Sequence, residues 1–219
     1  MNSQLFIAET RKNIENNVVK LLNNNQLMNL NTFNSPRAVG DAVQNFLENN
    51  ISNCLPKKLV TNINTSFARR AMADLAFEDT NSNYYVVDIK THNLNTNFNM
   101  PNLTSVERLA RFYSDKNNYF VLLMISYITK EKDLIFKNCH FVPIEHLNWS
   151  CLTLGALGWG QIQIANSNNI DLNISNTRKK WMLQLCDSLD IFYPNEISKI
   201  TNRIKHFKNI REYWENQPD

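Results

Sequence analysis

Two strand-length segments joined by four polar residues do most to limit how this chain can fold. Residues 71–78 (AMADLAFE) and 83–90 (NYYVVDIK) flank Asp79-Thr80-Asn81-Ser82, a turn-forming break, so an antiparallel hairpin is predicted at the centre of the molecule. Strand side chains alternate between faces. Tyr85, Val87 and Ile89 therefore share one face, and Val86, Asp88 and Lys90 share the other, joined by His92 if the strand extends that far. An acid and a base point the same way from a stiff element that otherwise reads as core.

The rest of the chain supplies elements to pack around that hairpin. The apolar run from Tyr119 to Ile128 has roughly half of the ~20 residues a membrane helix needs, so it reads as a core strand, with a turn at Lys130 to Asp133 returning the chain along 134–142. Apolar residues at three and four spacings predict one or two amphipathic helices from Gln4 to Leu30. A further helix runs from Ser35 to about Cys54, with Ser35 as N-cap and Pro36 in the first turn. An Asn-rich loop leads to Asn102, a helix covers about Ser105 to Ser114, and two helices over about 177–192 and 195–213 end the chain.

Three of the four glycines, Gly155, Gly158 and Gly160, fall within six residues, which marks a sharp bend or a close approach of backbone to something. The pattern is α/β, a central mixed sheet flanked by helices. It predicts one domain over 1–219, with a helical part about 1–55, a core about 56–176 and C-terminal helices about 177–219.

With 219 residues and 43% hydrophobic side chains the chain can bury a substantial core. Its net charge of +3 gives no overall polycationic character, so any nucleic-acid surface must come from local arrangement. Cys54, Cys139, Cys151 and Cys186 show no C-x-x-C spacing, and with His140 and His146 they match no usual zinc pattern. Reduced thiols and the lack of a secretory signal fit a cytoplasmic protein with no membrane partner.

Pairing of the two strands brings Asp74 and Asp88 toward one end of the sheet. Two carboxylates at close range repel and raise each other's pKa unless a divalent cation lies between them, and magnesium, a hard cation that keeps waters, suits such a site. A lysine beside it positions the attacking water and stabilises charge developing on a phosphoryl oxygen. The alternative reading of the same residues is an ordinary ion-pair cluster at a strand end.

The segments MADLAF and YYVVDIKTHN resemble the catalytic hairpin of the PD-(D/E)xK nucleases, in particular the branch of type II restriction endonucleases that includes HincII and HpaI. Ala73 stands where the motif loosely keeps a proline. Further blocks follow in the same order: MPNLTSVERLARFY (100–113), ALGWGQIQI (156–164) and TRKKWMLQLCDSLDIFY (177–193). The resemblance spans about residues 36–193. It implies a restriction-endonuclease-like fold and a bacterial cytoplasmic enzyme of a restriction-modification system. Asp74, Asp88 and Lys90 would be catalytic, with Asp74, Asp88 and the Ile89 carbonyl holding magnesium. The reaction implied is hydrolysis of both strands of double-stranded DNA, leaving 5′-phosphate and 3′-hydroxyl ends. Many relatives carry a Glu on the helix before the hairpin; here Gln44 falls near that place, with Asp41 and Glu48 close by, so the third acidic position stays open.

Sequence-specific cutting also requires groups that read base edges. In GQIQIAN the isoleucines Ile162 and Ile164 share one strand face and Gln161 and Gln163 the other, where amides suit adenine, and Gly160 allows close backbone approach. Trp159 is open to core packing or DNA contact. By family position Thr91, Asn93, Asn99 and above all Asn102 approach the grooves. Arg69 and Arg70, Lys57 and Lys58, and Arg178 to Lys180 are candidate phosphate contacts, or simply solvated surface charges. A palindromic target is read most simply by a homodimer. Two other readings share these residues: a repair or recombination nuclease of the same fold, and a DNA-binding module without catalysis.

Overall fold

The structure, a computed structural model, describes residues 3–25, 27, 35–64, 72–130 and 133–218. It divides into two compact units, Met1–Thr177 and Arg178–Asp219. The first unit is α/β. Among its described residues, five strands form a mixed sheet: β1 (Val60–Asn64), β2 (Leu75–Asp79), β3 (Tyr84–Asn93), β5 (Asn118–Lys130) and β6 (Asp133–Pro143), in the order β1-β2-β3-β5-β6. A second sheet of three strands, β4 (Asn102–Ser105), β7 (Leu152–Gly155) and β8 (Gln161–Ile164), has the order β4-β8-β7.

β2 and β3 form the expected antiparallel pair, in register Leu75↔Val87 through Glu78↔Tyr84. Their turn is held by one side chain: Asp79 Oδ1 accepts from the N–H groups of Asn81 (2.8 Å) and Asn83 (2.9 Å), and Oδ2 from the Asn83 amide (2.9 Å). β3 then runs parallel to β5 along its whole length, from Tyr84↔Asn118 to Asn93↔Tyr127. That pairing keeps Thr91 to Asn93 in the strand, where the sequence reading begins a loop. β5 pairs antiparallel with β6.

The sheet's two faces differ. Tyr85, Val87 and Ile89 of β3 and Val121, Leu123 and Ile125 of β5 join one core with Ile14, Val18 and Leu22 of α1 (Ala8–Asn23) and Val39, Val43 and Leu47 of α2 (Pro36–Asn50). Three-and-four spacing of apolar residues makes both helices amphipathic, and α2 starts where Ser35 Oγ accepts from Ala38 N–H (3.3 Å) with Pro36 at the first turn. The other face carries Asp88, Lys90 and His92. α3 (Val106–Phe112) is capped by Ser105, but Asn102–Ser105 before it is a strand and not a bare corner.

The second unit is built on α4 (Arg178–Glu215), a single helix of 38 residues that contains Pro194. Two helices breaking near Pro194 are the sequence expectation. The ring removes one backbone hydrogen bond, and the turns on either side carry the helix through.

Candidate metal and nucleic-acid site

Asp74 stands one residue ahead of β2, at a bend and not inside the strand. Its N–H donates to the Val87 carbonyl (3.0 Å), and its Oδ2 accepts from Ile89 N–H (2.6 Å). A side chain thus continues the ladder where the partner strand has not begun. In an antiparallel ladder a residue's N–H and C=O face the same edge, so the Ile89 carbonyl is turned toward that same strand edge.

Asp88 is 5% exposed. Its Oδ1 accepts from Lys90 Nζ at 2.7 Å, while Oδ2 is buried with no hydrogen-bond partner among the described residues. Burial raises the Asp88 carboxyl to about 7; Lys90 pulls it down and Asp74 pushes it up. Asp74 is also raised, first by burial, against the lowering effect of Ile89 N–H and Lys90, with Glu48 adding to the rise. The two acids and the lysine act on one another, and the acids resist carrying their charges together.

Of the three candidates for the third acidic position, Glu48 is the one whose charge reaches Asp74. It is buried on the inner face of α2, accepts from the Gln44 amide (3.0 Å), and is felt by Asp74 through its charge. Asp41 is exposed. Gln44 and Glu48 lie one helical turn apart, so the sequence places both near the hairpin; only packing of α2 on β3 selects the glutamate.

Among the described residues no group of three or more His, Cys, Asp and Glu side chains is arranged to hold a metal ion. A cation at this edge would rest on the Asp74 and Asp88 carboxylates, with backbone and water oxygens completing its shell. That donor set is all oxygen and fits magnesium, which is commonly held by one or two carboxylates and retained waters. The partnerless Asp88 Oδ2 and the mutual repulsion of the acids are the observations behind the fit.

Beyond Lys90 the sheet register lines up Lys90, Met124 and His140, and then His92, Ser126 and Asn138. Together with Asn168 they line a cavity of about 240 Å³. His92 Nε2 lies 2.7 Å from Asn168 Oδ1. Asn168 escapes a reading of the sequence as a site, and His140 enters it only in a zinc pattern that does not fit, although alternation along β6 against β5 carries the signal for its place beside Lys90.

The amides expected to read bases come together on the second sheet. Asn102 is paired with Gln163 in register, and the Gln163 amide donates to Asn102 Oδ1 at 2.5 Å. Ile162 and Ile164 are buried while Gln161 and Gln163 are half-buried. A Cβ on Gly155 would come within 2.8 Å of Gln163 Oε1, so the glycine gives that side chain its room. Gly160 has φ 116° and its carbonyl accepts from Val106 N–H, which ties the glycine turn to the start of α3. Trp159 is 64% exposed and so does not fill core.

Other expected contacts are more scattered. The Thr91 hydroxyl lies against Gly40 of α2, and Asn93 folds back on its own turn, accepting from Asn95 N–H. Asn99 is half-buried, with its carbonyl bonded to Ser167 N–H. Lys57 and Lys58 are exposed, as are Lys179 and Lys180. Arg69 and Arg70 lie outside the described residues.

No protein-family model matches the chain, and no curated protein matches its sequence. Among the described residues no helix is long and apolar enough to cross a membrane.

Proposed function

We propose that this chain is a magnesium-dependent type II restriction endonuclease with a restriction-endonuclease-like fold, acting as a homodimer on a specific double-stranded DNA sequence. The observation that carries the proposal is the edge of β3: Asp74 bonded to Ile89 N–H, and buried Asp88 bonded to Lys90 with one oxygen left over. A D-x-K strand beside an acid at the start of its partner strand is the arrangement the family resemblance implies.

The chain's own groups account for most of the chemistry. Asp88 presents oxygens from the central strand β3 and Asp74 from the bend before β2, where the bond to Ile89 fixes it. Lys90, held by Asp88, aims a positive charge at the place where a phosphodiester would lie; there it orients water for in-line attack and stabilises the phosphoryl oxygens as charge grows on them. Magnesium, when bound, supplies Lewis-acid polarisation of the phosphate. Asn102, Gln161 and Gln163 supply an amide surface suited to base edges, and exposed Trp159 is placed on a glycine turn where it can meet DNA.

The test is to digest phage DNA with the pure protein and magnesium and to sequence the ends. Discrete fragments sharing one sequence, with 5′-phosphates, are expected. Cutting that follows junctions or damage rather than sequence would instead assign a repair or recombination nuclease, and binding without cutting would assign a DNA-binding module.

A further inference from the structure

The helix α4 carries a feature that cleavage does not use. Ile197, Ile200, Ile204, Phe207, Arg211 and Trp214 follow one another at alternating intervals of three and four residues, the a and d positions of a heptad. Its five apolar members are between 49% and 67% exposed. Part of this stripe, with Arg203 and Lys208 at its sides, forms a shallow groove. Scattered exposed apolar residues are ordinary, but a contiguous stripe over three turns on a regular helix marks an interaction surface.

We propose that this face of α4 packs against the same face of a second copy of the chain, with the two helices antiparallel. Area argues for a pair of copies. Large side chains bury about 150–250 Å² when fully covered, so five of them half to two-thirds exposed offer roughly 500–600 Å². The aliphatic stems of Arg203, Lys208 and Arg211 extend the patch toward the ~800 Å² per partner that a stable interface needs. The 3.5-residue repeat is the period at which two helices supercoil and keep such a seam in contact.

Charge sets the direction. Arg211 is the charged member of the stripe, with Lys199 near its first end and Glu212 near its last. Antiparallel helices centred on the stripe set Arg211 of one copy against Ile200 of the other and lay Lys199 beside Glu212. A parallel pair would stack like charges and press Arg211 against its own copy inside the seam, where a charge has lost its water. The inference locates the dimer that a palindromic site would require, yet it does not rest on the chain being a nuclease.

Sedimentation equilibrium of the full chain, without DNA or magnesium, provides the test. At micromolar concentration the wild type is expected at twice the chain mass of 25.6 kDa. Ile204→Glu with Phe207→Glu is expected at the single-chain mass with unchanged helical circular dichroism, and Asn202→Glu, on the opposite side of the helix, should remain a dimer. A monomeric wild type, or a double variant that stays dimeric, overturns the proposal. So does stripe-dependent capture by anionic vesicles of a chain that is otherwise monomeric. Exposed Cys186 lies one further heptad back from Tyr193 on the same d line. A parallel pair would bring the two copies of Cys186 together, so that added diamide, itself reduced, would join them as a disulfide; the antiparallel pair leaves them apart. Each readout is blind to cleavage, so failure here is distinct from failure of the nuclease reading.

Discussion

The two ends of the β2–β3 hairpin each bury an aspartate, and they treat it in opposite ways. At the turn, both oxygens of Asp79 are met: Asn81 and Asn83 donate to one, Asn83 and the Tyr85 hydroxyl (2.8 Å) to the other. Tyr85 in turn shares a hydrogen bond with Ser3 Oγ (2.7 Å) and stacks between Phe77 and Tyr119. At the far end, Asp88 has one partner, Lys90, for one oxygen, none among the described residues for the other, and a second acid close enough to raise its pKa. A buried polar cluster with every bond made holds structure together. One left incomplete, beside a second acid, is where we propose that a metal binds.

The contrast can be broken most decisively by removing one acid at a time. Asp88→Asn is expected to lower magnesium-dependent cleavage about a thousandfold or more while DNA binding in calcium survives, since a group acting only in the transition state affects rate before affinity. Asp79→Ala should do the reverse. Loss of a fully bonded carboxylate leaves several donors stranded and costs about 2–4 kcal/mol in urea unfolding, with cleavage per folded molecule retained.

A pH series sharpens the comparison. The folded pKa of Asp88 is raised from 3.8 to about 7, so the fold favours the neutral carboxyl; that contribution is fully present below about pH 4 and is lost as pH rises through 7. Without magnesium, the wild type should therefore lose about 1–3 kcal/mol relative to Asp88→Asn between pH 4 and 8, read from thermal melts at each pH. With magnesium the loss should shrink, and calorimetry at pH 7 in buffers of different ionisation enthalpy should show proton release on binding. The smallest expected effect is that of Glu48→Gln, which removes one negative charge that would attract the cation, partly offset by easier ionisation of Asp74, and leaves Gln44 a partner. Cleavage should fall only about tenfold, with half-saturation shifted to higher magnesium.

Much of this was legible in the sequence because it depends on local rules. The DTNS break fixes the hairpin, period-two alternation puts Asp88 and Lys90 on one face, and Ser35-Pro36 starts α2. Alternation likewise buries Ile162 and Ile164 and leaves the glutamines between them at the surface. What local rules miss is set by partners distant in sequence. The parallel register with β5 extends β3 through Asn93 and, across β6, brings His140 to the face of Lys90. Packing of α2 on β3 is what buries Glu48 and leaves Asp41 in solvent. Pro194 misleads as a helix end because a proline costs one hydrogen bond, which a 38-residue helix can absorb.

The central claim is that Asp74, Asp88 and Lys90 form a magnesium-dependent centre for cutting DNA. Supercoiled plasmid carrying the target sequence, incubated with wild type or Lys90→Ala in magnesium or in EDTA, tests it most directly. The account predicts linear product only for the wild type in magnesium, while Lys90→Ala still retards the target duplex in a gel. Undiminished cutting by Lys90→Ala, or cutting in EDTA, would contradict it.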